Sequence, residues 1–213
     1  MAFEVRGVGA PTLVLVHGWS CDRGYWRGQL GPLAARYRTA AVDLAGHGES
    51  GADRRAWTMA AFGEDVVAVV ERLGPGELVL VGHSMGGDVI VEAARRLGDR
   101  VAGLVWVDTY NSLGAPPTDN ELQAFTAPFR EDFAAATRTM VRRLFTPAAD
   151  PELVEWVAAD MSAAPPEIAI DALRHAVANE PGVVAGLREL HAPVVAINPD
   201  ARPPTPRRSA ATA

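Results

Sequence analysis

The stretch Leu78 to Gly87, LVLVGHSMGG, restricts the fold of this 213-residue chain more than any other, because it turns an apolar strand directly into a helix. Leu78 to Val81 is a short β-branched run of the kind that fills a buried strand. Helical periodicity begins just after Ser84, with Met85, Val89 and Ile90. Gly82 and Gly86 flank the serine at G-x-S-x-G spacing, where bulkier residues would collide as the backbone reverses. The spacing therefore predicts a tight turn that exposes the Ser84 hydroxyl above a helix N-terminus.

Two further blocks give this turn its context. Thr12 to Val16 reads as a buried strand running into His17, Gly18 and Trp19, and Thr39 to Val42 as another running into DLAGHGES, Asp43 to Ser50. Met59 to Leu73 predicts a helix, with Thr58 as its N-cap and Gly74 and Pro75 stopping it. The helix after Ser84 should run to Leu97 and close at Gly98, and Val101 to Val107 makes a strand ending at Asp108. Strands alternating with helices imply parallel βαβ units, whose right-handed crossovers bring Trp19, Ser84 and Asp108 to one sheet edge.

From Asn111 to Pro181 the pattern changes to helical stripes broken by prolines 116, 117, 128, 147, 151, 165, 166 and 181. Phe125, Phe129 and Phe133 form one stripe, Val141, Leu144 and Phe145 a second, and Leu153, Trp156 and Val157 a third. A helix from Val183 to Leu190 then leads to a last strand, Pro193 to Ile197, ending at Asn198, Pro199 and Asp200.

In the order LVHGW, VDLAGHGES and GHSMGG, the chain resembles the α/β-hydrolase fold family, in its lid-bearing branch of esterases, lactonases, C–C hydrolases and cofactor-free haloperoxidases. The resemblance runs from about residue 3 to residue 200. It implies a mostly parallel sheet flanked by helices, with a core of residues 1–110 and 182–201, a helical lid at 111–181 inserted after the strand ending at Asp108, and an irregular tail at 202–213. It implies Ser84 as nucleophile, and Met85 and Trp19 as backbone N–H donors of an oxyanion hole. It carries the acid onto Asp200, with Asp108 as the alternative position. The family's aspartate-elbow branches, haloalkane dehalogenases and epoxide hydrolases, do not match Ser84, which points to acyl chemistry on a small ester, lactone or related substrate.

A serine hydroxyl needs a histidine to take its proton and a carboxylate to orient that histidine. The family places this histidine after one more strand, before a closing helix, and the sequence shows neither element. His17 and His47 are expected to hydrogen-bond loop backbone, and His83 to point away from Ser84 because adjacent side chains diverge. His175 falls in the lid and His191 before the last strand. No histidine occupies the base position, so a catalytically impaired homologue or small-molecule binding protein stands as the alternative to an active hydrolase. The tail RPPTPRRSAATA reads as a degenerate, frame-shifted or natural end.

The hydrophobic content of 48% suits one buried core, and the net charge of −6 carries no basic footprint for nucleic acid or anionic membrane. The lone Cys21 excludes an internal disulfide, and no Cys/His spacing suggests a metal; no cofactor is expected. Without a signal-like start or an apolar span, the expectation is a soluble, cytoplasmic protein with a small-molecule substrate. Val194 to Ile197, with no further strand beside it, is expected to present an apolar edge open to self-association.

Overall fold

The computed structural model describes residues 1–109 and 116–198. Its centre is a six-stranded sheet in the order β1-β3-β2-β4-β5-β6. The strands are β1 (Phe3–Arg6), β2 (Thr12–Val16), β3 (Thr39–Val42), β4 (Leu78–His83), β5 (Val101–Val107) and β6 (Val194–Ile197). Only β1 runs antiparallel, paired Phe3 to Val42; β2 through β6 are parallel. All four interior positions of β3 and all five of β2 are buried, as the apolar runs require of strands covered on both faces.

One face of the sheet carries the main core. Val14, Val16, Leu80 and Leu104 point into it and meet Phe62, Val66 and Val70 of α2 (Met59–Leu73) and Val89 and Ile90 of α3 (Met85–Leu97). Both helices have the predicted bounds. Thr58 caps α2 by accepting from the Ala61 N–H, and Gly74 ends it at φ 89°. α8 (Glu180–Glu189) packs on α3 from the outside, with Gly186 against Val91, and begins three residues earlier than the periodicity indicates.

The opposite face is covered unevenly. α1 (Arg27–Ala34), entered through a single 3-10 turn at Arg23–Trp26, lays Trp26 and Leu30 over Leu13, Leu15 and Ala41. Beyond it, the in-register rows Val81–Val105–Val195 and His83–Val107–Ile197 become progressively more exposed, until Val195 and Ile197 are 56% and 59% accessible. Among the described residues β6 pairs only with β5.

Among the described residues between β5 and α8 lie four helices, α4 (Asp119–Glu131), α5 (Phe133–Leu144), α6 (Pro151–Ser162) and α7 (Pro166–Ala178). The prolines punctuate them differently from the expectation. Pro151 and Pro166 occupy first turns, where the missing N–H has no intrahelical partner to lose, while Pro128 sits inside α4 without ending it. α4 instead stops where Asp132 turns extended and caps α5 through the Ala135 N–H. Phe133 thus belongs to a different helix from Phe125 and Phe129, yet the three rings still pack in succession at 6.1 and 6.4 Å between centroids.

Candidate active site

Among the described residues, three that are not glycine have positive φ: Ser20 at 54°, Ser84 at 51° and Asp108 at 47°. They follow the ends of β2, β4 and β5, three adjacent strands, so strained backbone clusters at the edge that the crossovers select. Such strain persists only where surrounding structure enforces it.

At Ser84 that enforcement is visible. The Ser84 N–H donates to the Val107 carbonyl at 3.0 Å, and the Gly87 N–H closes the turn on the Ser84 carbonyl at 2.8 Å. A methyl on Gly82 would stand 2.3 Å from the Gly86 carbonyl oxygen, and one on Gly86 would stand 2.5 Å from that of Val16. The glycines of G-x-S-x-G are thus required because strand, turn and helix backbones touch. Ser84 is the N-cap of α3 but its side chain caps nothing, and the residue is exposed. An ordinary N-cap serine spends its hydroxyl on the helix.

The two backbone donors named from the sequence flank this point. Met85 opens α3, so its N–H is among those without an intrahelical acceptor. Trp19 lies in the loop after β2, one residue beyond Gly18, and a methyl on Gly18 would lie 3.1 Å from Ser84 Cβ. The Trp19 ring is buried, with Nε1 donating to the Ala169 carbonyl at 2.6 Å and edge contacts to Phe129 and Phe133. It ties the loop to the inserted helices and is 5% exposed, so it offers little wall to a ligand.

Four of the five histidines have neighbours other than Ser84. His17 is fully buried; Nε2 accepts from the Leu44 N–H at 3.1 Å, which leaves Nδ1 as the donor to the Gly18 carbonyl at 2.8 Å. Burial, reinforced by neighbouring His47, pushes its pKa down to about 3, so it is neutral. His47 pairs with the Ala45 carbonyl and is likewise lowered by burial. His175 lies on α7 at 3.8 Å from Asp171, and His191 precedes β6 at the far end of that strand, beside the Glu189 carbonyl.

His83 and Ser84 both stand beside Gly18. The same methyl on Gly18 would stand 3.0 Å from His83 Nδ1, so the imidazole and the serine flank one glycine. Side chains alternate only along extended backbone, and Ser84 at φ 51°, ψ −123° has left the strand. Burial lowers the His83 pKa and the Asp108 charge acts in the opposite sense. Asp108 is exposed, with its N–H on the Ile197 carbonyl at 2.9 Å; Asp200 lies outside the described residues.

The buried Cys21 thiol reaches the Trp19 carbonyl at 3.3 Å, and burial raises its pKa to about 12, which removes it as a nucleophile. Asp43, fully buried, organises the DLAGHGES loop: it accepts from the Arg23 and Glu49 N–H groups at 2.7 and 2.9 Å and from the Arg23 guanidinium. Nothing in the sequence reading marked this hub. Among the described residues no group of three or more His, Cys, Asp or Glu is placed to hold a metal ion, and no helix is long and apolar enough to cross a membrane.

Residues 11–153 match the family model of the alpha/beta hydrolase fold, and the chain belongs to that family. It is 36% identical over 152 residues to the dihydrolipoyllysine-residue acetyltransferase component of the acetoin cleaving system of Pseudomonas putida, a match covering 71% of this chain and 39% of that protein. A pimeloyl-[acyl-carrier protein] methyl ester esterase of Methylococcus capsulatus is 33% identical over 208 residues, covering 91% of this chain and 77% of the esterase. The chain thus spans well under half of the first relative's length and about three quarters of the second's. The bromoperoxidase of Bacillus anthracis superposes with a TM-score of 0.80 at 22% identity, over 92% of this chain and 75% of that one, which shows a shared fold.

Proposed function

We propose that this chain is a serine hydrolase of small esters, lactones or related acyl compounds, with Ser84 as nucleophile. The observation that carries the reading is a serine at a helix N-cap whose hydroxyl is exposed and makes no cap bond, on a turn strained to φ 51°. The proposed oxyanion donors are the Met85 and Trp19 N–H groups, which would take up the negative charge as Oγ adds to the acyl carbon. The similarity to an esterase over 91% of the chain supports ester chemistry. The inserted helices act as the lid in this reading, held over the site by the Trp19 contact to Ala169. The acid is Asp108 or Asp200.

The second reading, a catalytically impaired protein that binds such ligands, draws on the hydrogen bonds of His17, His47 and His191 to backbone carbonyls. A fluorophosphonate probe separates nucleophile from bystander. The native chain should be labelled at Ser84, and Ser84→Ala should take no label; label persisting in that variant overturns the assignment. Turnover of p-nitrophenyl butyrate by the labelled-competent chain favours the hydrolase, whereas labelling without turnover favours the impaired protein.

A further inference from the structure

We propose that the cavity between the loop after β2, the DLAGHGES loop and the turn joining α6 to α7 is a second ligand site, which takes a small organic cation: a primary ammonium carrying a hydroxyl group. The cavity measures about 350 Å³, within the range of small-molecule sites, and neither Ser84 nor its two backbone donors line it. Ser20, Asp22, His47 and Asp160 supply its polar wall, and Ala163 and Pro165 part of its apolar wall. An occupant bridges the loop after β2 and the inserted helices.

The charge of the wall selects the ligand. Asp22 and Asp160 both face this space, no arginine lines it, and the sequence contains no lysine. The Arg23 guanidinium, next to Asp22 in sequence, is paired with Asp43 and Glu49. Burial holds the Asp22 carboxyl above the usual carboxylate range, and the charges of Asp160 and Asp43 push in the same direction against the Gly24 N–H and Arg23. Each carboxylate is fixed through one oxygen: Asp22 Oδ1 accepts from the Gly24 N–H at 2.6 Å, and Asp160 Oδ2 from the Tyr25 hydroxyl at 2.8 Å. The other oxygen of each is left to accept from a ligand, since an ionised carboxylate has about four acceptor positions.

A second observation is independent of the carboxylates. Ser20 is 5% exposed, yet its Oγ has no hydrogen-bond partner, a cost that a polar occupant of the cavity removes. His47 is equally buried; its Nδ1 donates to the Ala45 carbonyl at 3.0 Å, which leaves Nε2 as an acceptor. Burial lowers the pKa of this imidazole, so it adds no competing positive charge. The wall therefore offers mainly acceptors, and a ligand with several N–H or O–H donors and a positive charge complements it. Among the described residues these side chains do not converge as a metal-ligand group does, which favours an extended organic cation whose donors reach separated acceptors.

Isothermal titration calorimetry of the full chain tests the site, with ethanolamine as the probe and ethylene glycol as the uncharged molecule of the same size. Ethanolamine should bind saturably at one site and ethylene glycol should give no binding heat. Asp22→Asn and Asp160→Asn should each weaken ethanolamine by about 10- to 100-fold, and Ser20→Ala by about 2- to 10-fold. Ala163→Arg, at an exposed position on the cavity wall, supplies a guanidinium to the same carboxylates and should abolish binding. No ethanolamine binding by the native chain overturns the proposal, and equal affinity in all four variants shows adventitious attraction to an acidic surface and overturns it too. Choline binding as tightly as ethanolamine refutes recognition through N–H donors. Calcium binding that is lost in the same variants, with ethanolamine silent, assigns the cavity to a metal ion instead. Should Asp160→Asn lose its near-ultraviolet circular dichroism, Ala163→Arg decides: undiminished binding in that variant refutes the site.

Discussion

Acid should unfold this protein by way of His17, and the effect can be sized. His17 is fully buried as a neutral imidazole, with its pKa lowered from 6.5 to about 3 by burial and by His47. The unfolded chain therefore binds a proton below pH 6.5 that the native state refuses until about pH 3. Stability from this residue is full above pH 6.5 and is lost as pH falls through that window. Between pH 7 and pH 5 the loss is about 2 kcal/mol, which moves a urea midpoint by roughly 1 M. His47, also lowered, adds in the same direction, while Asp22 and Asp65, raised by burial, bind protons in the native state and oppose it as acidity increases. The residue's share is isolated by His17→Gln, which retains one donor and one acceptor but does not titrate. Urea unfolding followed by tryptophan fluorescence at pH 7 and pH 5 should show the variant losing about 2 kcal/mol less than the native chain across the interval. Equal losses in the two proteins would refute the buried neutral imidazole.

Gly86→Ala should destabilise on the order of 3 kcal/mol in thermal melts, because the new methyl meets the Val16 and His17 carbonyl oxygens at 2.5 and 2.6 Å. Gly28→Ala, with open space at the same position on α1, should instead gain about 0.5 to 1 kcal/mol; equal effects would show that backbone approach is not what selects glycine at the elbow. Asp43→Ala should cost about 3 to 5 kcal/mol by urea unfolding, since it removes the acceptor of two N–H groups and one of the two carboxylates on the Arg23 guanidinium; a loss under 1 kcal/mol would show that water replaces the carboxylate. Sedimentation velocity should show association that rises with concentration through β6 and is weakened by Ile197→Lys, given the exposure of Val195 and Ile197 on an edge strand; a monodisperse native monomer at high concentration would exclude it.

Legibility in the sequence followed the strength of local signals. The strands β2, β3 and β5 and the helices α2 and α3 carry unbroken apolar runs or 3.6-residue stripes, and their bounds coincide with the sequence reading. β1 and α1 were invisible for opposite reasons. FEVR is four half-exposed residues without a buried alternation, and RGQLGPLA contains two glycines and a proline, so tertiary contact through Trp26 and Leu30 creates the helix. In the inserted helices the stripe Phe125, Phe129, Phe133 crosses a helix boundary, because Asp132 caps α5 more effectively than it extends α4. At the site, residue type and spacing located the turn at Ser84, but nothing in a serine signals the positive φ of 51° that it adopts there. Period-two alternation assumes an extended residue, and the elbow is where that assumption ends.

That conformation has an energetic consequence for where the site can tolerate change. Three left-handed non-glycine residues cost about 1 to 3 kcal/mol each, and none is relieved by its own side chain being a glycine. The offset comes from the core: Leu15, Val16, Leu80, Val89, Ile90 and Leu104, on β2, β4, β5 and α3, are buried to 1% exposure or less. Each fully buried side chain of this kind contributes about 1.5 to 3 kcal/mol, so losing one consumes as much as one strained turn requires. A core truncation such as Leu80→Ala should therefore cost about 2 to 5 kcal/mol in urea unfolding, and a loss under 1 kcal/mol would show that this burial is not what offsets the strained turns.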